Sequence, residues 1–174
     1  GRRVGNPSIW RLIPKKKKVS TWHLDQDVGA LAVRENGKLV LALSDGFYLF
    51  DPDTDDLELI TLIEADQPRS RLNDGKVDRK GRFLAGGMDD KEELAICGLW
   101  RLDPDFSTTL IEDGIICTNG PCWSPDGATF YIGDSGRGVI YAFDCDRETG
   151  AADNRRDFYS SSTCEPDGAT VDSQ

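Results

Sequence analysis

The chain has 174 residues and a mass of 19.2 kDa, enough to bury a core within a single domain. Apolar residues make up 38% and charged residues 30%, a water-soluble globular composition that excludes a disordered chain. The formal charge of −10 repels phosphate backbones and excludes a nucleic-acid partner, and no run nears the roughly 18 apolar residues of a membrane span, so no membrane partner is expected.

The N-terminal Gly1-Arg2-Arg3-Val4 has no apolar run behind it, which predicts a processed or truncated start and no signal peptide. Ser8–Pro14 and Val19–Leu24 resemble the outer half of a repeating unit, with Lys15–Lys18 as a solvated hairpin tip between them. From Val28, four strand-like runs follow: Val28–Val33, Lys38–Leu43, Phe47–Asp53 and Leu57–Thr61. Asn, Asp, Gly or Pro bounds each of them. The pattern returns from Asp74 through the turn at Gly81 to Gly98–Asp105, and again from Asn119 through Ser124–Gly127 to Thr129–Asp134 and Gly138–Asp144. A last partial copy is Pro166–Asp172.

Leading glycines Gly29, Gly75, Gly120 and Gly168 are 46, 45 and 48 residues apart, and turn glycines Gly37, Gly81 and Gly127 are 44 and 46 apart. A four-strand unit recurring at about 40–50 residues predicts an all-β propeller of four-stranded blades. The blades are placed at 28–70, 71–117 and 118–164, with the end of one blade over 1–27 and the start of the next over 165–174. That is about three and a half blades. A propeller needs at least about four to close, so a piece of a longer protein or a truncated gene product is expected.

Radial repetition places equivalent positions at equal distances from the axis. The residues before the leading glycines are Val28, Asp74, Asn119 and Asp167, and three of these four carry side-chain oxygens. Arg71 and Asn73 lie on the same loop as Asp74. Two readings stand side by side: a convergent polar ring, or ordinary Asn-Gly and Asp-Gly turn dipeptides.

The remaining marked residues have plainer readings. Cys97, Cys117, Cys122, Cys145 and Cys164 are odd in number and fit no zinc spacing, which predicts reduced thiols in a cytoplasmic protein. Trp10, Trp22, Trp100 and Trp123 recur at strand positions and are expected in the blade core. His23, the single histidine, is expected to be structural, and Asp134, at a strand end facing the loops, to lie at the surface rather than behind the site.

Arg71–Met88, Asn119–Asp134, Tyr141–Gly150 and Pro166–Asp172 resemble, in order, hallmark stretches of the regucalcin/gluconolactonase (senescence marker protein) family. The resemblance implies a six-bladed propeller holding one divalent metal on its axis, Ca²⁺ or Zn²⁺ among others, and hydrolysis of sugar lactones such as gluconolactone. It implies Asn119 and Asp167 as metal ligands, with Asp167 also the base towards water. A third family ligand, a Glu in a Gly-Glu-x-Pro-Val-Trp segment, falls before residue 1. Arg71 and Asn73 correspond to the family's substrate contacts. A further acid after the Met-containing strand falls on Glu92 or Glu93, with Glu93 preferred. Oxygen-only ligands favour a hard ion, so Ca²⁺, Mg²⁺ or Mn²⁺ suit this set, and Zn²⁺ tolerates it. The competing expectations are a non-enzymatic calcium-binding or scaffold propeller, and an inactive truncated fragment.

Overall fold

A computed structural model of the chain describes residues 7–172. The expected processed start at Gly1–Val4 lies outside them. Strands β1 (Ser8–Ile13) and β2 (Lys18–His23) form a two-stranded antiparallel ribbon. The first four-stranded sheet is β3 (Val28–Val33), β4 (Leu39–Leu43), β5 (Gly46–Asp51) and β6 (Asp56–Leu62). The second is β7 (Ser70–Val77), β8 (Phe83–Asp89), β9 (Cys97–Leu102) and β10 (Thr108–Ile115). The third is β11 (Thr118–Trp123), β12 (Thr129–Asp134), β13 (Val139–Cys145) and β14 (Ala152–Ser160). In each sheet the order in space is the order in sequence. Adjacent strands are antiparallel, as hairpin connections require. The first strands meet one another, β3 against β7 and β7 against β11, so they gather on a common axis as propeller blades do.

Alternation along a strand builds the core between blades. In β4, Val40 and Ala42 pack with Leu72, Phe83 and Ala85 of the second blade, while Leu41 and Leu43 face the other way onto Ile9 and Phe50. In β8, Phe83 and Ala85 face the first blade and Leu84 faces Phe130, Ile132 and Phe143 of the third. The first and second blades are thus apolar on both faces, because each is sandwiched between neighbours. Fully burying a side chain such as Phe130 contributes about 1.5–3 kcal/mol.

The leading glycine reflects close approach at the axis. A Cβ on Gly29 would stand 2.6 Å from the carbonyl oxygen of Leu72 in the next blade. Gly120 adds a left-handed backbone at φ +58°, and its Cβ would meet Ala169 at 2.7 Å. The expected last strand differs from observation. Pro166–Asp172 carries no strand ladder, because no other described strand pairs with it. Asp167 and Ala169 nevertheless lie against Gly120, where a next inner strand would run.

Two expectations from sequence are corrected. Trp10 is not core but 68% exposed, because the ribbon is covered on one face only and Ile9, its neighbour, takes the inward side. Asp134 is not at the surface but fully buried. The other three tryptophans pack as expected, Trp22 on Phe50, Trp123 on Phe130, and Trp100 against the first core cluster. Among the described residues no helix is long and apolar enough to cross a membrane.

Candidate functional site

Three successive repeats contribute to one open cavity of 380 Å³ beside the axis. Arg71 and Asn73 come from β7, Met88 from β8, and Glu92 from the loop after it. Cys117 comes from just before β11 and Asn119 from its start, Ser135 from the turn after β12, and Glu165, Pro166 and Asp167 from the terminal segment. Arg71, Asn73, Asn119 and Asp167, singled out in the sequence, are therefore brought together.

Backbone irregularity aims these side chains. The β7–β8 register shifts between Leu72 and Asp74, which places Asn73 at a bulge. Its amide nitrogen donates to the carbonyl of Thr118 at 2.9 Å and approaches Asn119 Oδ1 at 3.4 Å. Arg71 donates from Nη1 to Asn73 Oδ1 at 3.2 Å, and its Nε pairs with Asp90 at 3.2 Å. In β11 a second irregularity follows Asn119. Asn119 Nδ2 donates to Ser135 Oγ at 2.7 Å, and Ser135 donates to the carbonyl of Pro166 at 2.5 Å.

Other marked residues lie elsewhere. Asp74 faces away from the cavity: its oxygens accept from the N–H groups of Gly75 and Gly120, each at 2.7 Å. Val28 packs with the cluster around Ile9 and Phe50. The polar ring therefore contains Asn119 and Asp167 but not Asp74. Glu93 is an exposed side chain that accepts from Arg69 at 3.1 Å, whereas Glu92 lines the cavity. His23 sits in the ribbon, bonded to Ser8 Oγ at 2.9 Å.

Two buried carboxylates, Asp89, which the sequence did not single out, and Asp134, which it placed at the surface, brace the segments beside the cavity. Asp89 closes β8 and receives Arg69 Nε at 2.6 Å and the N–H groups of Glu93 and Leu94. The Arg69 guanidinium foremost, with these amides, holds the Asp89 carboxyl well below the usual carboxylate range against the opposing effect of burial. This fixes the turn that carries Glu92. Asp134 closes β12 in the same way, receiving Cys117 N–H at 3.1 Å, Ile116 N–H at 3.3 Å and Arg137 at 2.9 Å. Their shared place in the repeat, 45 residues apart, was the available signal.

The donors around the cavity are oxygen. Asn119 and Asp167 face it with Glu92 and Glu165, and no group of three or more His, Cys, Asp or Glu among the described residues forms a metal cluster. Burial pushes the Cys117 thiol up to about 11, which disfavours its thiolate when no metal is bound. Two oxygen ligands with open space around them fit a hard divalent cation that keeps water or substrate in its remaining positions.

A family model described as the SMP-30/Gluconolactonase/LRE-like region matches residues 4–174. The chain belongs to this family. It is 34% identical to regucalcin of Xenopus laevis over 178 residues, covering 98% of the chain and 60% of that protein. It is 33% identical to 6-deoxy-6-sulfogluconolactonase of Pseudomonas putida, covering 95% of the chain and 57% of that protein. Among solved structures, the calcium-binding protein regucalcin of Agrobacterium tumefaciens superposes with a TM-score of 0.87 at 26% identity, over 96% of the chain and 57% of that structure. The family chain described here thus spans a little over half the length of these relatives.

Proposed function

We propose that the cavity binds one divalent cation through Asn119 and Asp167 and hydrolyses a sugar lactone held by Arg71, Asn73 and Glu92. The observation that carries this reading is the convergence of Arg71, Asn73, Asn119 and Asp167, from three successive repeats, on one cavity. A relative named as a lactonase adds support for the substrate class.

When bound, the cation polarises the lactone carbonyl and offsets the charge that develops on its oxygen. The chain's own residues do the rest. Asp167 takes a proton from the attacking water; one of its oxygens accepts Gly168 N–H at 2.8 Å, which steadies the carboxylate and leaves the other oxygen for that proton. Water oxygen bonds to the carbonyl carbon, the bond to the ring oxygen breaks, and the ring oxygen takes the proton held by Asp167, giving the sugar acid and restoring the carboxylate. Arg71 offers a planar donor fork to sugar hydroxyls, and Asn73, oriented by its bond to Thr118, both donates and accepts. Glu92, which also lines the cavity, accepts from a further hydroxyl. The oxygen-only donor set favours Ca²⁺, Mg²⁺ or Mn²⁺ over Zn²⁺.

A second reading, calcium binding without turnover, draws on the description of the Agrobacterium regucalcin as a calcium-binding protein. Lactone hydrolysis in a pH-stat with Ca²⁺, Mg²⁺, Mn²⁺ or Zn²⁺ separates the two. Turnover that is lost in Asp167→Ala supports the hydrolase. Calcium binding without turnover favours the second reading, and neither binding nor turnover leaves an inactive piece.

A further inference from the structure

We infer that Ser135 is a positioning residue that locks the orientation of the Asn119 side chain and ties it to the segment bearing Asp167. The inference rests on the cation reading above and goes beyond it by naming the residue that sets the ligand geometry.

The logic is one of donors and acceptors. The carbonyl of Pro166 can only accept, and Ser135 Oγ lies 2.5 Å from it, so the single hydroxyl proton of Ser135 points there. Ser135 Oγ must then accept in its other short contact, at 2.7 Å to the Asn119 side chain. The NH₂ end of the Asn119 amide therefore faces Ser135, and its Oδ1 is turned towards the cavity, where Asn73 Nδ2 lies at 3.4 Å. A flipped amide would set two acceptors against each other at Ser135. The orientation follows from this chain of bonds even though amide oxygen and nitrogen are alike in shape.

Ser135 is itself held firmly. It is buried, its N–H donates to the carbonyl of Cys117 at 2.9 Å, and it follows Asp134, whose carboxylate receives the N–H groups of Ile116 and Cys117. One hydroxyl thus joins the two segments that carry Asn119 and Asp167, from positions 16 residues after the first and 31 before Pro166. Partners of this kind, which touch a ligand and not the metal, typically change metal affinity about 10–100-fold when removed.

The test compares wild type with Ser135→Ala, Ser135→Thr and Ser135→Cys. Exchange of the Asn119 side-chain amide protons is read by NMR without metal, and Ca²⁺ affinity by calorimetry. In Ser135→Ala, amide exchange is expected to accelerate at least about tenfold and Ca²⁺ affinity to fall about tenfold, with the thermal midpoint moved far less than the affinity implies. Ser135→Thr, which keeps the hydroxyl, is expected to restore both to within about threefold. Unchanged exchange and affinity in Ser135→Ala overturn the inference. If Ser135→Ala fails to fold, Ser135→Cys, nearly isosteric but a weak donor, decides by the same exchange measurement: faster exchange supports the inference and unchanged exchange overturns it. Protected amide protons in wild type, released in Ser135→Ala, with no Ca²⁺ bound by either, uphold the positioning role and remove the cation reading instead.

Discussion

The carboxylate of Asp74 joins two blades: one oxygen accepts the N–H of its own neighbour Gly75 and the other the N–H of Gly120 in the next blade, both at 2.7 Å. Gly120 holds a left-handed backbone against Ala169, so its N–H direction is fixed and has few alternatives to Asp74. Asp74→Ala is expected to lower the unfolding free energy by about 1.5–3 kcal/mol, the range for a lost hydrogen bond to a charged group. Asp74→Asn, which keeps one acceptor oxygen, should fall between. Urea unfolding measures both, and equal stability of all three proteins would contradict the tie.

Asp89 predicts a dependence on pH. Its carboxyl is held below the ordinary value of 3.8 chiefly by Arg69. A group whose folded value is depressed contributes stability in full above its unfolded value, and loses it as pH falls through the folded one. The stability difference between wild type and Asp89→Asn should therefore be constant from neutrality down to about pH 5 and shrink below about pH 4. Denaturation curves from pH 3 to 7 check this. A difference that grew on acidification would have the wrong sign.

Glu92 and Glu93 are neighbours with different surroundings. Glu92 lines the cavity, while Glu93 reaches outward to Arg69. Glu92→Gln should reduce lactone kcat/KM by about 10²-fold or less, within the usual range for a positioned polar group. Glu93→Gln should leave it within about twofold, since an exposed ion pair contributes little. The reverse ranking would return the role to Glu93.

The five thiols are free, and three of them are buried. Burial pushes Cys97 and Cys117 up to about 11 and also raises Cys122 and Cys145. Since the thiolate is the reactive form, iodoacetamide near pH 8 should label exposed Cys164 first in the native chain. All five should label in denaturant. Mass spectrometry of the labelled peptides reads the order, and early labelling of Cys117 would contradict its burial.

The blades were legible because their turns and spacing obey local rules. Gly37, Gly81 and Gly127 adopt φ of +84°, +81° and +73°, which only glycine takes readily, so their recurrence marks the hairpins directly. The run that became β4 was visible as a strand, but not which of its residues face which blade. What was not legible is which side of the inner strand each polar residue faces. The bulge at Asn73 turns it to the cavity and sends Asp74 towards Gly120, and a one-residue shift of this kind leaves no trace in spacing. Asp89 and Asp134 were hidden for another reason. A carboxylate is expected outside unless its partners are known, and these partners, Arg69 and the backbone N–H groups of Ile116 and Cys117, come from other segments. Ser135 and Glu165 belong to none of the marked stretches and enter the cavity only through the fold.

The central claim is that Asn119 and Asp167 share one cation beside Arg71 and Asn73. Anomalous diffraction from crystals of the chain soaked in Mn²⁺ tests it most directly. The account predicts one strong peak in the cavity, with Asn119 Oδ1 and an Asp167 carboxylate oxygen at about 2.0–2.6 Å, the span of metal–oxygen bonds for hard cations, and its loss in Asp167→Ala. A cavity without a peak, or a peak bound elsewhere and unchanged by Asp167→Ala, would contradict it.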